Sequence, residues 1–146
     1  MAHTAATEGY CPLSLKPSSS PRTVRKNLPK LEAIISGGQN GSDQAGLRAA
    51  KSLGLATGGY APLGWRTLDG PRPDLGTDYG LVECWSPDYP PRTAKNVHAA
   101  DATVRIARDF QSTGEICTRR AIAKYKRPWL DVYINEEGEG GVLDRN

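Results

Sequence analysis

The residues best suited to chemistry stand together in the run Ser36-Gly37-Gly38-Gln39-Asn40-Gly41-Ser42-Asp43. Three glycines let the backbone adopt conformations that a Cβ opposes, and let N–H groups come close to a ligand. The run follows the apolar stretch Leu31-Glu32-Ala33-Ile34-Ile35 and precedes a segment of helical spacing. A helix beginning near Ser42 directs its positive end and unbonded N–H groups at this loop, where an anion is favoured. The spacing is neither GxGxxG nor a Walker A loop, because no Gly-Lys-Ser/Thr follows. A glycine turn that only joins strand to helix would read the same way. Asp43 in the first helical turn is stabilised by the helix dipole with or without a ligand. Ser36, Gly37, Gly38, Gln39, Asn40, Gly41 and Asp43 are therefore the primary candidates for binding a phosphate. Valine at Gly38 is expected to block ligand approach while leaving the fold largely intact.

Two further sets accompany them. Ser112, Thr113 and Gly114 stand between a strand and a helix, where hydroxyls and an N–H can form a second phosphate contact. A plain N-cap is the alternative. Arg92, Lys95 and Asn96 recur at i, i+3, i+4 and share a helix face that can approach a phosphate or ribose; a solvated face is the alternative. Arg66 joins the candidates from the Gly- and Pro-rich segment 62–80. His3 and His98 are the only histidines, so a His-based metal site or triad finds no support. Cys11, Cys84 and Cys117 form no CxxC pair, which argues against a disulfide framework or structural zinc and for a reducing cytoplasm. Trp65, Trp85 and Trp129 read as core or loop anchors. No metal ligand set and no catalytic residue can be assigned.

The elements that must position these residues alternate. Strands are expected at 31–35, 57–61, 81–85, 102–107 and 130–134. Helices are expected at 43–53, with Leu47, Ala50 and Leu53 on its inner face, at 92–100 behind Pro91, and at 115–125. Residues 62–80 read as one long loop. The alternation predicts an α/β, Rossmann-like three-layer domain with a mostly parallel sheet over 31–135. Residues 1–30 form a basic Pro/Ser-rich arm unable to bury a core of its own, and 136–146 an acidic Gly-rich tail that reads as loop.

Length and charge bound the rest. At 146 residues the chain suits one domain, and with 38% hydrophobic and 24% charged residues it suits a soluble one. No run approaches the length of a membrane span, and the N-terminus lacks a signal-peptide layout. The arm holds Lys16, Arg22, Arg25, Lys26 and Lys30 against Glu8, a local +4; with a total of +3 the remainder is −1. Such an arm can contact nucleic acid or an acidic protein partner, or simply be solvated.

The sequence 34–47, Ile-Ile-Ser-Gly-Gly-Gln-Asn-Gly-Ser-Asp-Gln-Ala-Gly-Leu, resembles the "ISGGQTGVDRAAL" opening of the family named "putative molybdenum carrier", in the SLOG superfamily of Rossmann-like nucleotide-binding domains. Residues 58–66 resemble its "GGWCPKGRRAEDG" segment, continued by Asp69-Gly70-Pro71. Residues 92–97 with Asp101-Ala102-Thr103 resemble "RTEWNV…SDAT". The likeness spans about 31–134 and implies a Rossmann-like fold, self-association, and a ligand site built from the 37–43 loop and the second loop. The second loop departs from the family's "TGGT…T": Thr113-Gly114 is followed by Glu115, whose charge opposes a phosphate unless a cation offsets it. Gln44 stands where the family often has Arg. The "PGGxGTxxE" motif of the related lysine-decarboxylase-like phosphoribohydrolases is missing.

Three functions follow. The first is a binding protein for a nucleotide or a molybdenum-cofactor-like ligand. The second is a nucleotide or nucleoside-monophosphate hydrolase using Asp43, Asp101 or Glu115 as acid or base. The third is a non-catalytic subunit of a larger assembly, anchored by its arm.

Overall fold

A computed structural model of the protein describes residues 30–145; the basic arm expected over 1–30 lies, but for Lys30, outside them. In the first half the apolar run before the glycines forms β1 (Ala33–Ile35), followed by α1 (Ser42–Ser52) and β2 (Ala56–Ala61). A two-stranded ribbon, β3 (Arg66–Thr67) and β4 (Gly70–Pro71), leads into α2 (Asp74–Tyr79) and β5 (Leu81–Glu83). The strands pair in the order β1-β2-β5, all parallel, with Ile35 beside Gly58 and Tyr60 beside Val82. Parallel neighbours require crossover helices, and α1 and α2 supply them. Leu47 of α1, Ala61 of β2, Leu75 of α2 and Leu81 of β5 form one buried cluster, with Trp65 and Tyr79 packed against it. Each large apolar side chain so buried stabilises the fold by about 1.5–3 kcal/mol.

The second half runs α3 (Tyr89–Ala99), β6 (Thr103–Ala107), α4 (Thr113–Tyr125), β7 (Trp129–Ile134) and β8 (Gly140–Arg145). β6 pairs with β7 in parallel and β8 closes antiparallel on β7. Val97, Ala121, Ile122 and Trp129 make a second buried cluster, joined by Tyr125. β6 inverts the usual alternation. Arg105 is buried, whereas Val104 and Ile106 are 57% and 38% exposed. The register explains the inward charge, because Arg105 stands directly beside Asp131 of β7 and pairs with it. Val104, Ile106, Leu130, Val132 and Val142 then share the opposite sheet face by register.

The Rossmann-like α/β architecture is the one expected, with three of five strand pairings parallel. Its ladders separate into two three-stranded sheets and the ribbon instead of one continuous sheet. The expected loop 62–80 holds the ribbon and α2, stabilised by turns too short to show periodicity. The acidic tail, expected as loop, carries β8: Asn135 and Glu139 exchange bonds across a turn in which Gly138 has φ +82°. Leu53, expected inside, is 74% exposed as the C-cap of α1, because Gly54 already turns the chain away. Trp85, expected as an anchor, is 73% exposed beyond the end of β5.

Candidate functional site

The glycine run makes the turn from β1 to α1. Ser36, Gly37 and Gly38 are buried, and Gly41 and Ser42 are exposed. Gly38 has φ +74°, and a Cβ there would stand 2.8 Å from Leu75 Cδ1 and 2.9 Å from Leu81 Cδ2. This corrects the expectation for valine at Gly38: it would strike the core as well as strain the backbone. Ser36 Oγ accepts the Gly38 N–H at 3.4 Å, and the Gln44 amide donates to Gly38 O at 3.1 Å. The buried Gln44 thus shapes the loop, a role its sequence position did not disclose.

Gln39 and Asn40 turn outward to the ribbon. Gln39 Nε2 donates to Arg66 O at 3.0 Å, Asn40 Oδ1 accepts the Leu68 N–H at 3.0 Å, and Asn40 Nδ2 donates to the Asp69 carboxylate. These two side chains hold β3–β4 against the loop. The Arg66 guanidinium is exposed and reaches Pro87 O at 3.5 Å. Gly41 is the N-cap of α1 and gives it no side-chain cap. The amides of Gln44 and Ala45 bond to Gln39 O and Gly41 O. The N–H groups of Ser42 and Asp43 are left as the open donors of the first turn among the described residues.

Arg92 and Asn96 do share an inward face of α3, but with different tasks. Both ends of the Asn96 amide are engaged by the Tyr60 backbone: Oδ1 accepts its N–H at 2.8 Å and Nδ2 donates to its carbonyl at 3.0 Å. Asn96 therefore fastens α3 to β2, with one acceptor site and one N–H of its amide turned to the Tyr60 backbone. Lys95 is exposed, with its ammonium over the Tyr60 ring at 4.8 Å. Arg92 reaches the glycine loop. Its Nη1 donates to Asp43 Oδ2 at 3.2 Å, and the same oxygen accepts the Gln39 N–H at 3.1 Å. A Cβ on Gly37 would lie 1.4 Å from Arg92 Nη1, so the guanidinium occupies the space that glycine leaves. Arg92 Nε is buried with no acceptor among the described residues.

The second loop is arranged differently. Ser112 is the N-cap of α4, its Oγ accepting the Glu115 N–H at 3.4 Å, and Thr118 Oγ1 donates back to Gly114 O. A Cβ on Gly114 would meet nothing within 4 Å, so nothing of the protein approaches it closely. Arg105 supplies the cation that Glu115 calls for: its Nη1 donates to Glu115 O at 3.1 Å and contacts Oε2 at 3.4 Å. The rest of its guanidinium is held by Asp131, and it lies 4.9 Å from the Phe110 ring. Burial raises the Glu115 carboxyl above its ordinary range; Arg105 opposes this, and Asp131 and Asp43 reinforce it. The Arg105–Asp131 pair escaped the sequence reading, although a charged residue at the centre of each of two strands was its signal.

Two open concavities, of about 430 and 480 Å³, flank α4; they share Arg119 and include none of residues 36–43. The glycine loop is buried at residues 36–38 and comes to the surface at Gly41 and Ser42, a crown over the start of α1. Among the described residues no group of three or more His, Cys, Asp or Glu is placed to hold a metal ion, and no helix is long and apolar enough to cross a membrane.

A parallel β-α-β half with a glycine loop at the start of its first helix defines a Rossmann-like domain. The chain belongs to the "Circularly permutated YpsA SLOG family", whose model matches residues 34–143. It is also similar to the crystal structure of a "putative molybdenum carrier protein" from Syntrophus aciditrophicus SB. The two are 35% identical with a TM-score of 0.66, over 72% of this chain and 65% of that one. The chain thus spans just under two thirds of that relative's length. No curated protein matches the sequence.

Proposed function

We propose that the chain binds a phosphate-bearing small ligand, nucleotide-like in character, on the crown of residues 36–43. The observation that carries this reading is the start of α1, which has no side-chain cap and opens on a glycine loop beside a guanidinium whose Nε lacks an acceptor, both among the described residues. Ser36, Gly37, Gly38 and Gly41 shape the crown and Arg92 supplies its charge. Asp43 holds Arg92 in place. Gln39, Asn40 and Arg66 form the ribbon-side wall. Ser112, Thr113 and Gly114 stand at the neighbouring helix start. Family membership supports a ligand-binding role, and the relative's name extends the choice to a molybdenum cofactor. These residues suit that group through its phosphate.

Gly37→Ala tests the site. The backbone at Gly37 is not in the left-handed region, and the added methyl displaces only the flexible end of Arg92. Titration calorimetry with AMP should show affinity reduced about tenfold or more, the loss of a charge-assisted contact. Melting should change little. Unchanged affinity would remove the loop from the site.

A hydrolase is the second reading, favoured by Asp43 and Glu115, two carboxylates in unlike environments in the first turns of α1 and α4. Release of ribose phosphate or inorganic phosphate from a nucleotide panel, abolished in Glu115→Gln, would establish it. Asp101, at the start of the turn into β6, is its less favoured acid or base. We also infer self-association, supported by the exposed Val104, Ile106 and Val142 on one sheet face, and a reducing cytoplasmic setting, supported by Cys84 and Cys117, which form no disulfide among the described residues. The basic arm is proposed as a contact for a protein partner or nucleic acid, and as a unit apart from 31–135 and the tail.

A further inference from the structure

We propose that Asp43 is a built-in substitute for the ligand's anionic group: a ligand enters by exchanging its own oxygens for the Asp43 carboxylate on Arg92 and the Gln39 N–H. The exchange makes the site selective for a doubly charged terminal phosphate. This rests on the phosphate-binding reading of the same loop.

The argument begins with which donors are free. Of the groups aimed at the crown, Arg92 Nη1 and the Gln39 N–H already converge on one oxygen, Asp43 Oδ2, at 3.2 and 3.1 Å. A carboxylate bonded by a guanidinium and a backbone amide has the coordination expected of a bound phosphate oxygen. The pairing is incomplete, because Arg92 is held through Nη1 alone while its Nε stays buried and unbonded. A fork that engages both nitrogens satisfies the guanidinium better. The two-oxygen face of a phosphate can provide it once the side chain swings off Gly37, and Gly37 has no side chain to block that motion. The open N–H groups of Ser42 and Asp43 would receive a further oxygen.

Asp43 opposes this arrival through its own charge, so the incoming group must outbid a singly charged carboxylate for Arg92. A phosphomonoester carries close to two negative charges at neutral pH and a phosphodiester one. Glu115 does not take the same part, because its carboxylate is paired with Arg105, which Asp131 fixes in place.

The test is titration calorimetry of the full chain with AMP and 3′,5′-cyclic AMP, which share base and sugar and differ in phosphate charge. The wild type should prefer AMP about tenfold or more. Asp43→Asn should tighten cyclic AMP by about two- to fivefold, the worth of one screened charge pair near a surface, and narrow the preference. Asp43→Ser, which keeps an oxygen for the Gln39 N–H, should do the same and guards against misfolding of the first variant. In an Arg92→Ala background the gain from Asp43→Asn should vanish. A wild type that binds AMP, with a preference unmoved by either Asp43 variant, would overturn the exchange and leave the phosphate site standing. A gain that persists without Arg92 would also overturn it, reducing Asp43 to simple repulsion. If neither nucleotide binds any of the proteins, the phosphate-binding reading falls and the exchange with it.

Discussion

The starts of α1 and α4 are two answers to one problem. Each leaves backbone N–H groups without a helical partner. At α4 the chain answers from within: Ser112 caps the Glu115 amide, Glu115 adds a charge, and Arg105, itself fixed by Asp131, offsets it. At α1 the cap is Gly41, with no side chain to offer, and the nearby charges are a loosely joined Asp43 and Arg92. The first end is closed by its own residues and the second is poised for something from outside. The difference teaches that a helix start becomes a site through what its cap withholds.

The comparison can be broken at its strongest point first. Asp131→Ala should cost about 3–5 kcal/mol, because it removes the two-oxygen partner of the buried Arg105, which is 5% exposed, and leaves only its contacts with Glu115. A thermal melt should fall by more than about 10 °C. On the α1 side, Gly38→Val should cost about 2–4 kcal/mol through a left-handed backbone and contact with Leu75 and Leu81. Urea titration would measure it, and a loss under 1 kcal/mol would mean that the loop is looser than described. Ser112→Ala should cost about 1 kcal/mol in a thermal melt, the usual worth of an N-cap. Glu115→Gln sharpens the contrast through pH. Its folded carboxyl titrates above its ordinary value of 4.5, so the native state holds that proton more tightly than the unfolded chain. The resulting stability is complete below about pH 4.5 and is lost as pH rises through the folded value. The variant should therefore melt higher than wild type at pH 7, with the gap closing at pH 4.

Where the sequence was legible, the physics was local. The glycine run between an apolar strand and a helical pattern located the β1–α1 turn, and helical spacing put Arg92 and Asn96 on one face of α3, although Lys95, read with them, is exposed. What stayed hidden depended on partners distant in the chain. Nothing around Asn96 announces that the Tyr60 backbone, 36 residues earlier, will occupy its amide. Nor does the turn at 39–40 reveal that its side chains will hold a ribbon at 66–71. The inward Arg105 becomes readable only once β6 and β7 are in register, since periodicity alone places the apolar Val104 and Ile106 inside. The tail at 136–146 was hidden by composition: glycine and glutamate disfavour strands in isolation, and β7 supplies the template that overrides them.

The double bond between Asn96 and Tyr60 makes one amide proton a sentinel. The Tyr60 N–H is protected from solvent by a side chain of another element, not by a neighbouring strand's backbone. Its deuterium exchange rate therefore measures how often α3 lifts away from β2, carrying Arg92 with it. The breathing of the crown can be timed at a position that takes no part in binding.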